Sequence, residues 1–140
     1  MSSIIRTVTD AGKFTTLLSA LKAASFTDTL RTTGPYTLFA PTDEAFKRLA
    51  PGEFDVLMKD TDRLYRVLAH HVVRGVVPAS ELTSGKVKTM AGTSLVASRH
   101  GDGVFVSGVE IIQADIAASN GIVHMVHDVI MPFGTMLAAA

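Results

Sequence analysis

Apolar residues recur at helical spacing through the first half of the chain. One set follows the i, i+3, i+4, i+7 spacing of an amphipathic helix, namely Phe14, Leu17, Leu18 and Leu21. A second set shares one face of a later helix, whose N-cap we assign to Thr61: Leu64, Val67, Leu68 and His71. Helices are also predicted over residues 43–49 and 53–59, with one helical turn over residues 78–82. The first half is therefore predicted to be mostly helical.

Residues 36–46 join a short apolar strand directly to one of these helices. The strand ends at Pro41, which has no N–H and cannot continue inside a sheet. Thr42 can cap the helix by accepting a hydrogen bond from an amide of the first turn. Asp43 and Glu44 then lie where the helix dipole favours negative charge. We therefore predict structural roles for Thr42 and Asp43.

The second half follows a strand pattern, with many Val, Ile, Thr and Ser residues between turns that contain glycine. Two short strands flank Ser107-Gly108, a dipeptide typical of a two-residue hairpin turn. Asn120-Gly121 is predicted to form a turn with positive φ at both central residues. Helices followed by strands predict an α+β domain, with antiparallel strands over residues 86–132 and Val123 or Ile122 facing the core.

Composition and charge fit one domain and narrow the possible functions. Of the 140 residues, 47% are apolar, which is ample for a core. Basic and acidic residues number 13 each, and the formal net charge of zero argues against binding to nucleic acid or anionic membranes. No apolar run approaches the ~20 residues of a membrane span, and no signal peptide is expected at the N-terminus. The absence of cysteine excludes disulfides and thiolate metal sites.

Two segments resemble the signature motifs of the fasciclin (FAS1) domain family. The first is residues 36–46 (YTLFAPTDEAF), and the second is residues 120–126 (NGIVHMV), which lead to residues 129–132 (VIMP). The resemblance implies a single FAS1 domain over residues 1–132 and a tail over residues 133–140. It also implies a wedge-shaped β-sandwich with several helices packed along one side. Within this fold, Asn120, Gly121, His71 and His124 match structural motif positions, as do Thr42 and Asp43.

The resemblance further implies a function outside the cell. FAS1 domains are mostly adhesion and interaction modules, so we expect an extracellular, cell-surface or periplasmic protein. Its expected partner is a cell-surface or matrix protein or a glycan, and the domain itself is expected to be a monomer or weak homo-oligomer. Asp115-Ile116 is similar to an Asp-Ile dipeptide of the family that is implicated in integrin recognition. The alternative is a strand end, where Asp115 makes a local turn bond and Ile116 packs inward.

The histidines suggest further candidates. His70 and His71 precede two valines where FAS1 domains usually carry a Tyr-His pair that is linked to integrin binding. His71 matches the family histidine, while His70 replaces the tyrosine; both are binding candidates, and the alternative for His71 is a buried, hydrogen-bonded ring. His124 and His127 have a spacing that suggests metal ligands. Residues three apart on a strand point to opposite faces, so we predict no metal site and no other cofactor.

Catalysis is not predicted. The chain has no G-x-S-x-G elbow, no P-loop and no dinucleotide-binding fingerprint. The second functional hypothesis is a small-ligand-binding or sensing domain that uses a groove between the helices and the sandwich. A deep apolar cavity would favour that hypothesis, whereas exposed apolar residues around Asp115 would favour adhesion.

Overall fold

The structure is a computed structural model that describes residues 3–30, 35–48, 52–82, 84–101 and 103–130. Its helices, apart from one 3-10 turn, precede the β-rich second half. They are α1 (Ile4–Ala11), α2 (Thr15–Ala23), α3 (Phe26–Leu30), α4 (Asp43–Lys47), α5 (Glu53–Lys59) and α6 (Thr61–Ala69), with the 3-10 turn at Ala79–Glu81. The tail predicted over residues 133–140 lies outside the described residues.

Seven strands form one connected sheet in the order β2-β1-β7-β6-β5-β4-β3. They are β1 (Tyr36–Pro41), β2 (Val72–Arg74), β3 (Ser84–Lys88), β4 (Ser94–His100), β5 (Gly103–Val106), β6 (Val109–Ala118) and β7 (Gly121–Val126). The predicted α+β class is confirmed. The wedge-shaped sandwich is not confirmed, because the strands join into one sheet whose edges approach each other: the Met90 amide donates to the Val72 carbonyl at 2.8 Å.

Side-chain caps explain where three of the helices begin. Ser3 caps α1 by accepting a hydrogen bond from the Arg6 amide. Thr42 caps α4, since its hydroxyl accepts from the Ala45 amide at 3.3 Å, which confirms the prediction. For α6 the prediction of a Thr61 cap was wrong: Asp60 accepts from the Arg63 amide, and Thr61 is the first helical residue. A carboxylate at the cap also suits the positive end of the helix dipole.

The strand β1 is buried on both faces, which explains its uninterrupted apolar sequence. Leu38 faces the helices, where it shares a core with Val123 of β7 and with Leu17 and Leu21 of α2. Phe39 points to the opposite side, into a second core with Leu95, Val106 and Val126. Side chains alternate along a strand, so β1 and β7 supply both cores at once. The predicted amphipathic face of α2 and the burial of Val123 are thereby confirmed.

Two of the predicted turns have different outcomes. Ser107 and Gly108 both adopt positive φ, 50° and 82°, which confirms the hairpin between β5 and β6. The Asn120-Gly121 prediction was wrong, because Gly121 alone has positive φ, at 154°. Asn120 is buried instead, and its side chain accepts from the Ile4 amide at 2.8 Å and donates to the Leu30 carbonyl. The dipeptide therefore ties the first helices to the sheet.

The pairing of β1 with β7 was not predicted. The two strands run parallel from Tyr36↔Gly121 to Pro41↔Val126, inside a sheet that is otherwise antiparallel. This pairing joins the two FAS1-like segments along their length. It places the motif residues of both segments side by side, in the middle of the sheet.

Candidate interaction surface around Asp115

Asp115 lies where the β6 strand departs from regular pairing with β7. The register shifts between Gln113 and Ile116, and Asp115 has a φ of 59°. Aspartate tolerates this left-handed conformation better than most residues do. Such irregularities bend a strand and redirect a side chain. Here the side chain of Asp115 is exposed, as predicted.

Two hydrogen bonds hold Asp115 in this conformation. Its carboxylate Oδ1 accepts from the Ala79 amide at 2.9 Å, and its own amide donates to His124 Nδ1 at 3.1 Å. Because Nδ1 accepts, the proton of the neutral ring is on Nε2, which donates to the Val77 carbonyl at 2.8 Å. The turn bond expected of Asp115 is thus a long-range contact to the segment that follows β2.

His124 is the centre of this arrangement and is buried. Its ring stacks against Phe39 of β1, with the ring centroids 5.4 Å apart. Burial lowers the pKa of His124, while the Val77 carbonyl and the Asp115 carboxylate partly oppose that change. The neutral ring is therefore the form that links Asp115 to Val77.

Residues 75–81 form the other half of the surface, and four strands fasten them. Thr37 of β1 donates from its hydroxyl to the Gly75 carbonyl at 2.7 Å and accepts from the Val77 amide at 2.8 Å. Arg99 of β4 donates to the Ala79 carbonyl at 3.1 Å. Asp115 and His124 add the contacts from β6 and β7. This segment was not predicted to be part of a site; its run of Val-Val-Pro after a glycine was the available signal.

We call the resulting surface the Asp115 patch. It consists of Asp115, Ile116, Val76, Val77, Pro78 and Ala79. Val76 is 48% exposed, so it adds apolar area to this surface. Ile116 is half-buried and packs against the helix-side core, as the structural alternative expected. The patch therefore combines an exposed carboxylate with an exposed apolar side chain.

The side chains of His70 and His71 are buried away from solvent. His71 is 1% exposed; its Nδ1 donates to the Val67 carbonyl at 2.7 Å, and its Nε2 accepts from the Ile130 amide at 2.9 Å. Burial lowers the pKa of His71 to about 4. His70 is 3% exposed and hydrogen-bonds through Nδ1 to the Thr93 hydroxyl, and burial lowers its pKa as well. The predicted hydrogen-bonded ring at His71 is confirmed, whereas a binding role for either residue stays a prediction.

His127 lies apart from the patch. His127 follows β7 and lines an open cleft of about 520 Å³ between helices and sheet, with Lys13, Asp43, Ile112 and Met125 among the other lining residues. His124 points into the opposite core region beside Phe39. In the part of the chain that the structure describes, no group of three His, Cys, Asp or Glu side chains is placed to hold a metal ion.

The fold and the two joined motif segments define the class of protein. The chain matches the Fasciclin domain over residues 12–132 and belongs to that family, as the sequence resemblance indicated. Within the described residues, no helix is long and apolar enough to cross a membrane.

Relatives and a solved structure agree with this assignment. Protein sll1483 of Synechocystis sp. is 39% identical over 121 residues, which are 85% of this chain and 67% of that protein. Transforming growth factor-beta-induced protein ig-h3 of Oryctolagus cuniculus is 33% identical over 86% of this chain, which spans only 18% of the relative. A FAS1 domain pair from the insect cell adhesion molecule Fasciclin I superposes with a TM-score of 0.77 at 16% identity, covering 97% of this chain and 53% of that chain. This last likeness is one of fold.

Proposed function

We propose that this protein is an adhesion or protein-interaction module that acts through the Asp115 patch, without catalysis and without a cofactor. The observation that carries the proposal is the exposed Asp115 carboxylate, which is fixed by the Ala79 amide, in the segment that also carries the half-exposed Val76. Membership of the Fasciclin family and the likeness to a domain pair from a cell adhesion molecule support it. The proposed location is extracellular, at the cell surface or periplasmic. The proposed partner is a cell-surface or matrix protein or a glycan. The protein itself is proposed to act as a monomer or weak homo-oligomer.

The geometry suits recognition because the patch is ordered before a partner arrives. Hydrogen bonds from four strands already fix residues 75–81, so binding loses little conformational entropy there. Among the described residues, no hydrogen bond or ion pair engages Oδ2 of Asp115. That oxygen can accept from a partner's arginine or coordinate a partner's metal ion. Val76 supplies apolar area that loses water on contact.

The apolar side of the patch is tested by a matched pair of valines. Val76 and Val96 are 48% and 50% exposed, and only Val76 belongs to the patch. We expect Val76→Glu to weaken attachment of beads coated with the domain to cells or matrix, while Val96→Glu leaves attachment unchanged. Circular dichroism and thermal melts establish that both variants fold. Equal attachment by the two variants contradicts the assignment of the patch.

The second candidate function is small-ligand binding in the cleft between helices and sheet. The cleft of about 520 Å³ falls within the size range of small-molecule sites, and it is open, with lining side chains of both charges, rather than a deep cavity. A screen of small amphipathic carboxylates by ligand-observed NMR tests it. Saturable binding that Ile112→Glu abolishes and Val76→Glu leaves intact would favour the cleft over the patch.

A further inference from the structure

The two edge strands of the sheet meet at a seam beside the motif segment of His70 and His71. The Met90 amide donates to the Val72 carbonyl across this seam. Next to that bond lies a separate cleft of about 390 Å³, which we call the seam cleft. Its lining residues are Arg74, Lys88, Thr89, Met90 and Gly92. The seam cleft shares none of these residues with the Asp115 patch or with the cleft between helices and sheet.

The backbone of β2 directs a donor toward the seam. The Phe39 amide donates to the His71 carbonyl, and the Gly75 amide donates to the Pro35 carbonyl. These two hydrogen bonds show which backbone groups of β2 and its flanking residues face β1. In an antiparallel pair such residues alternate, so residues 71, 73 and 75 face β1 and residues 72 and 74 face away. The bond from Met90 to the Val72 carbonyl agrees with that alternation. The Arg74 amide therefore points to the seam, where the seam cleft lies.

The described residues that line the seam cleft carry only positive charge. Arg74 and Lys88 line it, and none of the described residues that line it is acidic. Neither cation forms an ion pair with a described residue, in contrast to Arg6, Lys47, Arg48 and Arg63, which each lie within 4 Å of a carboxylate. Lys86 adds a further cation on the same face of β3 as Lys88, two residues away. A chain with zero net charge thus carries a local cationic site.

The walls of the seam cleft are already ordered. Thr89 bonds to Thr93 through its amide at 2.8 Å and through its hydroxyl at 3.0 Å. The buried ring of His70 also forms a hydrogen bond with the Thr93 hydroxyl. The turn after β3 therefore keeps its shape, which lowers the entropy cost of binding a ligand there.

We propose that the seam cleft binds a carboxylate or sulfate group carried by an acidic sugar. A guanidinium presents a planar pair of donors that matches an oxyanion, and an ammonium and a backbone amide complete such a site. The volume is within the range for small ligands and exceeds what a single inorganic ion needs. Among the described residues, no aromatic side chain lines the seam cleft, so stacking with a nucleic acid base has no support.

Amide chemical shifts measured by NMR test this proposal directly. The probes are glucuronic acid, a sulfated heparin disaccharide and inorganic sulfate, each titrated into the wild-type chain. We expect saturable shifts at the amides of Arg74 and of residues 88–92 with the two sugars, weakened by added salt. Shifts confined to other regions, no saturation, or the same response to inorganic sulfate as to the sugars would overturn the proposal.

A matched pair of double variants separates this site from general attraction to cations. Arg74→Gln with Lys88→Gln removes both charges of the seam cleft, and Lys22→Gln with Lys59→Gln removes two exposed charges on α2 and α5. We expect about tenfold weaker sugar binding for the first pair, from the loss of charge-assisted hydrogen bonds, and unchanged binding for the second. Equal weakening by both pairs contradicts a specific site. If the Arg74→Gln, Lys88→Gln variant aggregates but binds the sugars with unchanged affinity, the proposal is contradicted. Lys88 would then be assigned to protecting the edge of β3 from pairing with another chain.

Discussion

Individual buried histidines of this protein are neutral, and their rings hold loops in place through hydrogen bonds. His71 donates to the Val67 carbonyl from one ring nitrogen and accepts from the Ile130 amide with the other. A proton on Nε2 would place two N–H donors face to face at Ile130. Burial is the main cause that lowers the pKa of His71 to about 4. The native contact with the Ile130 amide also requires the neutral ring.

Stability is expected to fall in mild acid because of His71. Its pKa drops from 6.5 to about 4 on folding, so between these values the unfolded chain binds a proton that the native chain does not. The free energy of unfolding is therefore largest above pH 6.5, and it falls by up to about 3 kcal/mol as the pH approaches 4. The lowered pKa values of His70 and His124 act in the same direction. Urea unfolding at pH 7.5, 5.5 and 4.5 (values chosen around this window) measures the effect, and equal stability at all three would contradict it.

Thr42 is expected to stabilise the protein through one hydrogen bond at the start of α4. Thr42→Ala leaves the Ala45 amide without this acceptor and should lower the free energy of unfolding by about 1 kcal/mol. Thr42→Ser keeps the hydroxyl and serves as the control. Chemical denaturation compares the two, and a Thr42→Ala variant as stable as the wild-type chain would show that the cap is dispensable.

At the scale of elements, the contact between β1 and β7 depends on Gly121. A Cβ at this position would lie 1.8 Å from the Tyr36 carbonyl oxygen, a backbone atom that cannot move aside independently. We expect Gly121→Ala to cost on the order of 3 kcal/mol or more, or to prevent folding. Gly108→Ala is the control, since its turn has positive φ but open space, and it should cost about 1 kcal/mol. Similar melting temperatures for the two variants would contradict the close approach.

Sequence signals that span only a few residues predicted the elements of secondary structure well. Contacts between residues far apart in the sequence could not be predicted from such local signals. Thr42 and the Ser107-Gly108 turn follow from local hydrogen bonding and backbone preference. The parallel pairing of β1 and β7 requires segments more than 80 residues apart to meet, as the register Tyr36↔Gly121 shows. Asn120 was assigned to a turn because its partners, Ile4 and Leu30, lie far away in sequence.

The candidate site was predictable only in part for the same reason. Exposure of Asp115 was expected, but its partners come from elsewhere: Ala79 is 36 residues away and His124 lies on the next strand. No periodic pattern marks residues 75–81 as part of a surface. Their position follows from four strands that the completed sheet brings together.

For the whole molecule, we expect folding and stability to be independent of zinc. Both ring nitrogens of His71 and of His124 already bond to backbone groups, so a metal would have to displace those bonds. Equimolar zinc should therefore leave the melting temperature unchanged, because a tight site would raise it by mass action. Stoichiometric, sub-micromolar binding at two or more of His71, His124 and His127 would contradict this expectation.

Attachment of the Asp115→Asn variant tests the central claim most directly. Asparagine keeps a side-chain oxygen that can accept from the Ala79 amide and tolerates the positive φ of residue 115, so the fold should persist while the charge is lost. Asp55→Asn, on the exposed side of α5, is the charge-matched control; Asp102, in a predicted turn, lies outside the described residues. We predict that beads coated with Asp115→Asn attach to cells or matrix several-fold less than wild-type or Asp55→Asn beads, with unchanged circular dichroism. Equal attachment by all three would contradict the assignment of adhesion to the Asp115 patch.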